Sequence, residues 1–145
     1  MTERQKLVDQ LIRHEGLRLK PYMDTVGKIT IGVGRNLTDC GLSHAEALDL
    51  LDHDLSASIV ELTRFSWFPR LDAVRQRALI DLHFNLGRTR LDTFQRFIHA
   101  CAVDRWADAG QELRASRWAS QVQPDRRDRL VRMIETGVSD LDEDA

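Results

Sequence analysis

Residues 15–34 read EGLRLKPYMDTVGKITIGVG, and the hydrophobic period changes inside this stretch. Upstream, Leu7, Val8, Leu11 and Ile12 recur at helical intervals, which predicts a helix over residues 2–15 with Gly16 as its stop and Glu15 in its last turn. Downstream, Ile29, Ile31 and Val33 alternate with Lys28, Thr30 and Gly32 behind the turn Asp24-Thr25-Val26-Gly27. Alternation of that kind predicts a hairpin or small sheet over residues 22–33.

Beyond the hairpin the chain reads as helix. Ser43 and Glu46 form a capping-box signature, and Leu48, Leu51, Leu55, Ile59 and Leu62 follow as one stripe to about residue 63. Val74, Ala78, Leu79, Leu82 and Leu86, closed by Gly87, predict a more deeply buried helix. Further helices are predicted over 94–101, 106–113 and 124–134, the last opened by Pro124 and stopped by Gly137. The expected fold class is α+β and mostly helical: a helix and a small antiparallel sheet near the N-terminus, a connecting long helix, then a helical lobe. One domain over 1–145 is expected, with lobes near 16–45 and 64–137 plus the N-terminal helix, and a cleft between lobes where a polymer could lie.

Hydrolysis of a glycosidic bond needs one carboxyl that keeps its proton until the leaving oxygen takes it, and a second carboxylate that serves water. Glu15 and Asp24 are the candidates. A carboxylate in the last turn of a helix meets the negative end of the helix dipole, which favours the protonated form an acid needs. Thr30 lies opposite Ile29 and Ile31 along the strand. If those isoleucines face a core, its hydroxyl faces the cleft and can orient a water. Gly32 and Gly34 share that face, where the lack of side chains would admit a sugar chain.

In order and spacing, Glu15 to Asp24 to Thr30 within residues 15–34 strongly resembles the catalytic segment of the T4-type phage lysozymes, family 24 of the glycoside hydrolases. The resemblance continues through Arg77-Ala78-Leu79, Phe84-Asn85-Leu86-Gly87, Ser116-Arg117-Trp118 and Pro124-Asp125-Arg126. It implies a lysozyme-like fold and cleavage of the β-1,4 link from N-acetylmuramic acid to N-acetylglucosamine in peptidoglycan. It further implies Glu15 as general acid, Asp24 as second carboxylate and Thr30 as third catalytic position. Phe84 and Asn85 match a cleft-lining place, and Arg126 a position that pairs with the catalytic glutamate. One residue departs from the pattern: Arg35 stands where T4-type members have histidine, and the loop over residues 36–42 differs too.

The composition narrows the alternatives. Twenty-one Lys and Arg against 23 Asp and Glu give a net charge of -2, which argues against a nucleic-acid binder. Arginines cluster between Arg114 and Arg132, and residues 140–144 form an acidic tail; a solvated helix face and a frayed end are expected there. Cys40 and Cys101 show no pairing pattern and are expected as free thiols. Five histidines lack metal-ligand spacing, so neither metal nor cofactor is expected. His83 is expected as a satisfied core residue, and Trp106 and Trp118 as core anchors. The polar N-terminus lacks a signal segment, and no apolar run is long enough for a membrane span. These features lead us to expect a monomer made in the host cytoplasm, with no stable membrane insertion; the resemblance implies action on the wall in the periplasm after a holin permeabilises the membrane. Two competing readings remain. A lytic transglycosylase would release 1,6-anhydro ends, and a silent glycan-binding relative would release no product.

Overall fold

The computed structural model describes residues 1–143. Thr2 caps helix α1 (Glu3–Glu15): its hydroxyl accepts from the Gln5 N–H at 3.2 Å, and the Gln5 side chain accepts from the Thr2 N–H at 2.7 Å. This reciprocal pair satisfies donors that a helix start leaves orphaned. Gly16 ends α1 at φ 79°. Strands β1 (Arg18–Met23), β2 (Ile29–Gly32) and β3 (Arg35–Asn36) then form an antiparallel sheet in the order β1-β2-β3. Pro21 has no N–H for the ladder, and it falls where the β1–β2 register is irregular, between Arg18 and Tyr22.

Helix α2 (His44–Leu62) opens with the predicted box: Ser43 Oγ accepts from the Glu46 N–H at 3.1 Å, and Glu46 Oε1 from the Ser43 N–H at 2.9 Å. Its burial is confined to Ser58 and Leu62 near its end, narrower than the stripe predicted. Helix α3 (Ala73–Leu91) starts at an Asp72 cap and breaks at Gly87, where φ 75° and ψ 169° leave the helical region before one more turn forms. Helices α4 (Gln95–Ala102), α5 (Trp106–Arg114), α6 (Arg117–Gln121), α7 (Pro124–Thr136) and α8 (Asp140–Glu143) complete the described chain. The acidic segment is therefore not frayed over 140–143. Asp140 pairs with Arg132 and Asp142 with Arg77, which ties α8 to α7 and α3. Asp144, also counted in that tail, lies outside the described residues.

Two compact units divide the chain, residues 1–50 and residues 51 onward, and the division falls within α2. The first holds α1 and the sheet. The second carries the apolar core: Leu79, Leu82 and Leu86 of α3, Phe97 of α4, Leu113 of α5, Trp118 of α6 and Ile134 of α7 are all buried. In α3, α4, α5 and α7 these residues recur at three- or four-residue spacing with other core positions, so one stripe of each faces inward. Trp118 anchors this core as expected, and Trp106, half-buried, packs against it with the Arg75 guanidinium 4.3 Å over its ring. Cys40 and Cys101 are both free, the first exposed and the second buried, and burial pushes the Cys101 thiol up to about 12.

His83 departs from expectation. It is buried on α3, yet neither ring nitrogen has a hydrogen-bond partner among the described residues. Burial holds its pKa below the ordinary 6.5, with Arg64 adding to that effect and Glu61 and Asp92 opposing it. The folded state then binds fewer protons at this site than the unfolded chain does, so its contribution is complete above pH 6.5 and is lost as pH falls through the depressed value. His83→Leu should remove that acid sensitivity and raise stability at pH 7 by about 1 kcal/mol, because it deletes two buried unpaired polar atoms. Urea melts of both proteins at several pH values between 5 and 8 check this. An unchanged pH slope would contradict it.

Candidate active site

The candidate residues of the first unit are held by backbone more than by each other. Glu15 is the last residue of α1, and its carboxylate lies beside the space that a side chain at Gly34 would need. A β-carbon at Gly34 would stand 3.0 Å from Oε2 and 3.3 Å from Cδ. Gly34 also sits at φ 72°, a region residues with a Cβ rarely adopt. Conformation and proximity both demand glycine here.

Asp24 follows β1 and builds the turn into β2. Its Oδ1 accepts from the Val26 N–H at 2.9 Å and from the Lys28 N–H at 2.8 Å, and its own N–H donates to the Lys28 carbonyl at 2.9 Å. The other oxygen, Oδ2, takes no part in these bonds. Asparagine offers the same acceptor in the same place. Asp24→Asn should therefore keep the melting temperature within about 2 °C while removing the carboxylate charge; Asp24→Ala should cost about 1–2 kcal/mol of stability as well. Thermal melts beside cell-clearing rates separate the two. Substantial activity in Asp24→Asn would reduce the residue to a turn builder.

Thr30 is centred in β2, opposite Tyr22 of β1 and Asn36 of β3. Its facing reverses the expectation: Thr30 is only 4 % exposed, whereas Ile29 is 46 % exposed. Alternation separates two faces of a strand without saying which is covered, and here the covered face takes the threonine. The hydroxyl donates to the Lys28 carbonyl at 3.1 Å. That carbonyl also accepts from the Asp24 N–H, so the main chain of Lys28 joins Asp24 to Thr30. Its side chain pairs with Asp39 at 3.1 Å. Sequence reasoning missed Lys28 because a backbone group serves whatever side chain it carries.

Gly32 has φ 67° and nothing within 4 Å of where a Cβ would stand, so its conformation is its only visible demand. In the second unit, Phe84 is 44 % exposed and Asn85 lies beside it on α3. The amide oxygen of Asn85 accepts from Trp118 Nε1 at 2.8 Å, so a ligand would meet the remaining face of that amide. Arg126 of α7 engages Asp81 of α3: Nε donates to Oδ1 at 3.0 Å and Nη2 bonds the same oxygen. Among the described residues, no helix is long and apolar enough to cross a membrane.

The family model described as Phage lysozyme matches residues 12–132. Probable T4-type lysozyme 1 of Dictyostelium discoideum is 28% identical over 159 residues, covering 89% of this chain and 93% of its own. Probable T4-type lysozyme 2 of the same organism is 27% identical, with coverage of 90% and 94%. A SAR-endolysin of Escherichia phage Mu is 35% identical over 82 residues, 54% of this chain and 47% of its own.

Proposed function

Because the chain belongs to the phage lysozyme family, we propose that it is an inverting muramidase that cuts the β-1,4 bond from N-acetylmuramic acid to N-acetylglucosamine and serves bacterial lysis. It is a lysozyme, a hydrolase of peptidoglycan; the bond, the stereochemistry and the lytic role are our reading. The observation that carries it is the link through Lys28, which fixes Asp24 and Thr30 to one peptide within the unit that also holds Glu15.

In this mechanism the Glu15 carboxyl gives its proton to the glycosidic oxygen as the bond to the anomeric carbon breaks. A water between Asp24 Oδ2 and the Thr30 hydroxyl oxygen gives its proton to Asp24 and attacks the anomeric carbon from the opposite face. Inversion follows from that single displacement. Thr30 suits the role because its O–H is spent on the Lys28 carbonyl, which leaves its oxygen as an acceptor that orients the water. Phe84, Asn85 and the bare backbone of Gly32 are assigned to contacts with the glycan. The enzyme acts as a monomer and reaches the wall through a membrane opened by a holin.

Wild type and Glu15→Gln, incubated with outer-membrane-stripped Gram-negative cells, provide the test. The substitution keeps shape and removes the proton. We expect wild type to release muropeptides with reducing muramic ends and the variant to be slower by about a thousandfold. Anhydro ends in the mass spectrum would replace hydrolysis with transglycosylation. Sedimentation of both proteins with the wall, without product, would replace catalysis with binding. Arg126→Lys in the same assay asks whether that arginine serves the acid: an unchanged rate leaves it with Asp81 alone.

A further inference from the structure

We propose that Arg35 and Glu46 form a positioning pair that holds the backbone of Gly34 against the Glu15 carboxylate, and so fixes where the acid delivers its proton. The inference rests on the reading of Glu15 as the acid. It gives a purpose to Arg35, which departs from the T4-type pattern directly beside the catalytic segment.

Arg35 follows Gly34 directly and opens β3, where its main chain pairs with Ile31 of β2. Its guanidinium reaches the first turn of α2 as a fork on Glu46, with Nη1 donating to Oε1 at 3.1 Å and Nη2 to Oε2 at 2.6 Å. Nη1 also donates to the Gly41 carbonyl at 3.2 Å. Glu46 cannot swing freely to meet it, because Oε1 also accepts from the Ser43 N–H and the Ser43 hydroxyl accepts from the Glu46 N–H. The start of α2, the loop at Gly41 and the start of β3 are thereby tied into one brace, one peptide away from the glycine whose missing side chain leaves room for the Glu15 carboxylate.

The brace does little for stability, since an exposed ion pair is screened by water. Its value is geometric. A planar fork fixes direction as well as distance, which a lysine's single ammonium does not. The pair also survives acid, because the Arg35 hydrogen bonds and the Ser43 N–H hold the Glu46 carboxyl down to about 2. Without the fork, Gly34 can recede and the Glu15 carboxylate loses the backbone beside it. A displacement of a fraction of an ångström at a proton donor is enough to slow chemistry about tenfold.

The experiment measures kcat, KM and melting temperature for Arg35→Met, Arg35→Lys, Glu46→Gln and the Arg35→Met/Glu46→Gln double variant on soluble uncrosslinked glycan strands. Glu46→Gln retains the capping bond to Ser43 and weakens only the fork. We expect Arg35→Met to lower kcat about tenfold with KM within about twofold. Arg35→Lys and Glu46→Gln should fall in between, and the double variant should be no slower than Arg35→Met, as expected for residues acting as one unit. Wild-type kcat in a folded Arg35→Met protein would overturn the proposal. So would a raised KM with kcat retained, which would place Arg35 in glycan binding. Glu15→Gln is run in parallel: if it keeps activity the acid assignment falls, whereas if it is inactive and only the Arg35 variants keep full kcat, the brace alone falls.

Discussion

Gly34→Ala is expected to slow cell clearing about fourfold to tenfold while most of the protein stays folded. The added methyl meets two objections at once. At φ 72° a residue with a Cβ costs about 1 kcal/mol in backbone strain. The methyl would also stand 3.0 Å from Oε2 of Glu15 and 3.3 Å from its Cδ, closer than carbon and carboxylate settle without displacement. Either the glutamate turns away or the β2–β3 turn recedes, and each moves the proton donor from its place. With roughly a hundredfold in rate for each ångström of misplacement, the few tenths of an ångström needed to relieve the contact lower kcat about fourfold to tenfold, against a stability loss of only about 1–2 kcal/mol. Far-ultraviolet circular dichroism and initial clearing rates read the two quantities separately. Gly32→Ala is the natural comparison, because its φ of 67° brings similar strain with no atom near the new methyl. Its rate loss should be clearly smaller, and what remains after the strain is discounted measures any contact between sugar and that backbone. Full activity in Gly34→Ala would mean that Glu15 does not act from the position the structure gives it.

The two glycines show how far sequence carries this protein. Local signals located the elements: Gly16 and Gly137 stop α1 and α7 where expected, and the Ser43–Glu46 box opens α2. Those signals are legible because a cap is satisfied within three or four residues of chain. The candidate catalytic set was legible for a similar reason, since Glu15, Asp24 and Thr30 lie within sixteen consecutive residues. What failed was anything decided across space. The period of two placed Thr30 and Ile29 on opposite faces and could not say which was covered. The bond of Arg126 to Asp81, 45 residues away, has no local signature. His83 looked like an ordinary core residue because absent partners leave no trace in a sequence. Gly34 was read as room for a sugar, and its closeness to Glu15 becomes visible only once α1 and the sheet are packed. Arg35, flagged by its departure from the pattern, received a partner only when α2 was placed.

The largest loss of stability is expected from Trp118→Ala. This indole is 2 % exposed, packed in the core of the second unit, with its N–H on the Asn85 amide oxygen at 2.8 Å. Removing it deletes a large apolar surface and leaves a cavity, a change that costs about 3–5 kcal/mol in well-packed cores. Against a total of about 5–15 kcal/mol that is a large share. A drop of about 10 °C or more in melting temperature should follow, read by calorimetry. Trp118→Phe separates packing from the hydrogen bond, since it retains most of the ring volume and removes the donor. Asn85 is exposed, so water can take the vacated place on its oxygen, and the cost should fall to about 1–2 kcal/mol. Assayed well below both melting temperatures, the phenylalanine variant then tests the place of Asn85 in the site. If Trp118 aims that amide at the glycan, the freed side chain loses its direction and KM rises although the fold holds. If KM stays at the wild-type value, the Asn85–Trp118 bond serves the core alone, and recognition on this helix rests with the exposed ring of Phe84.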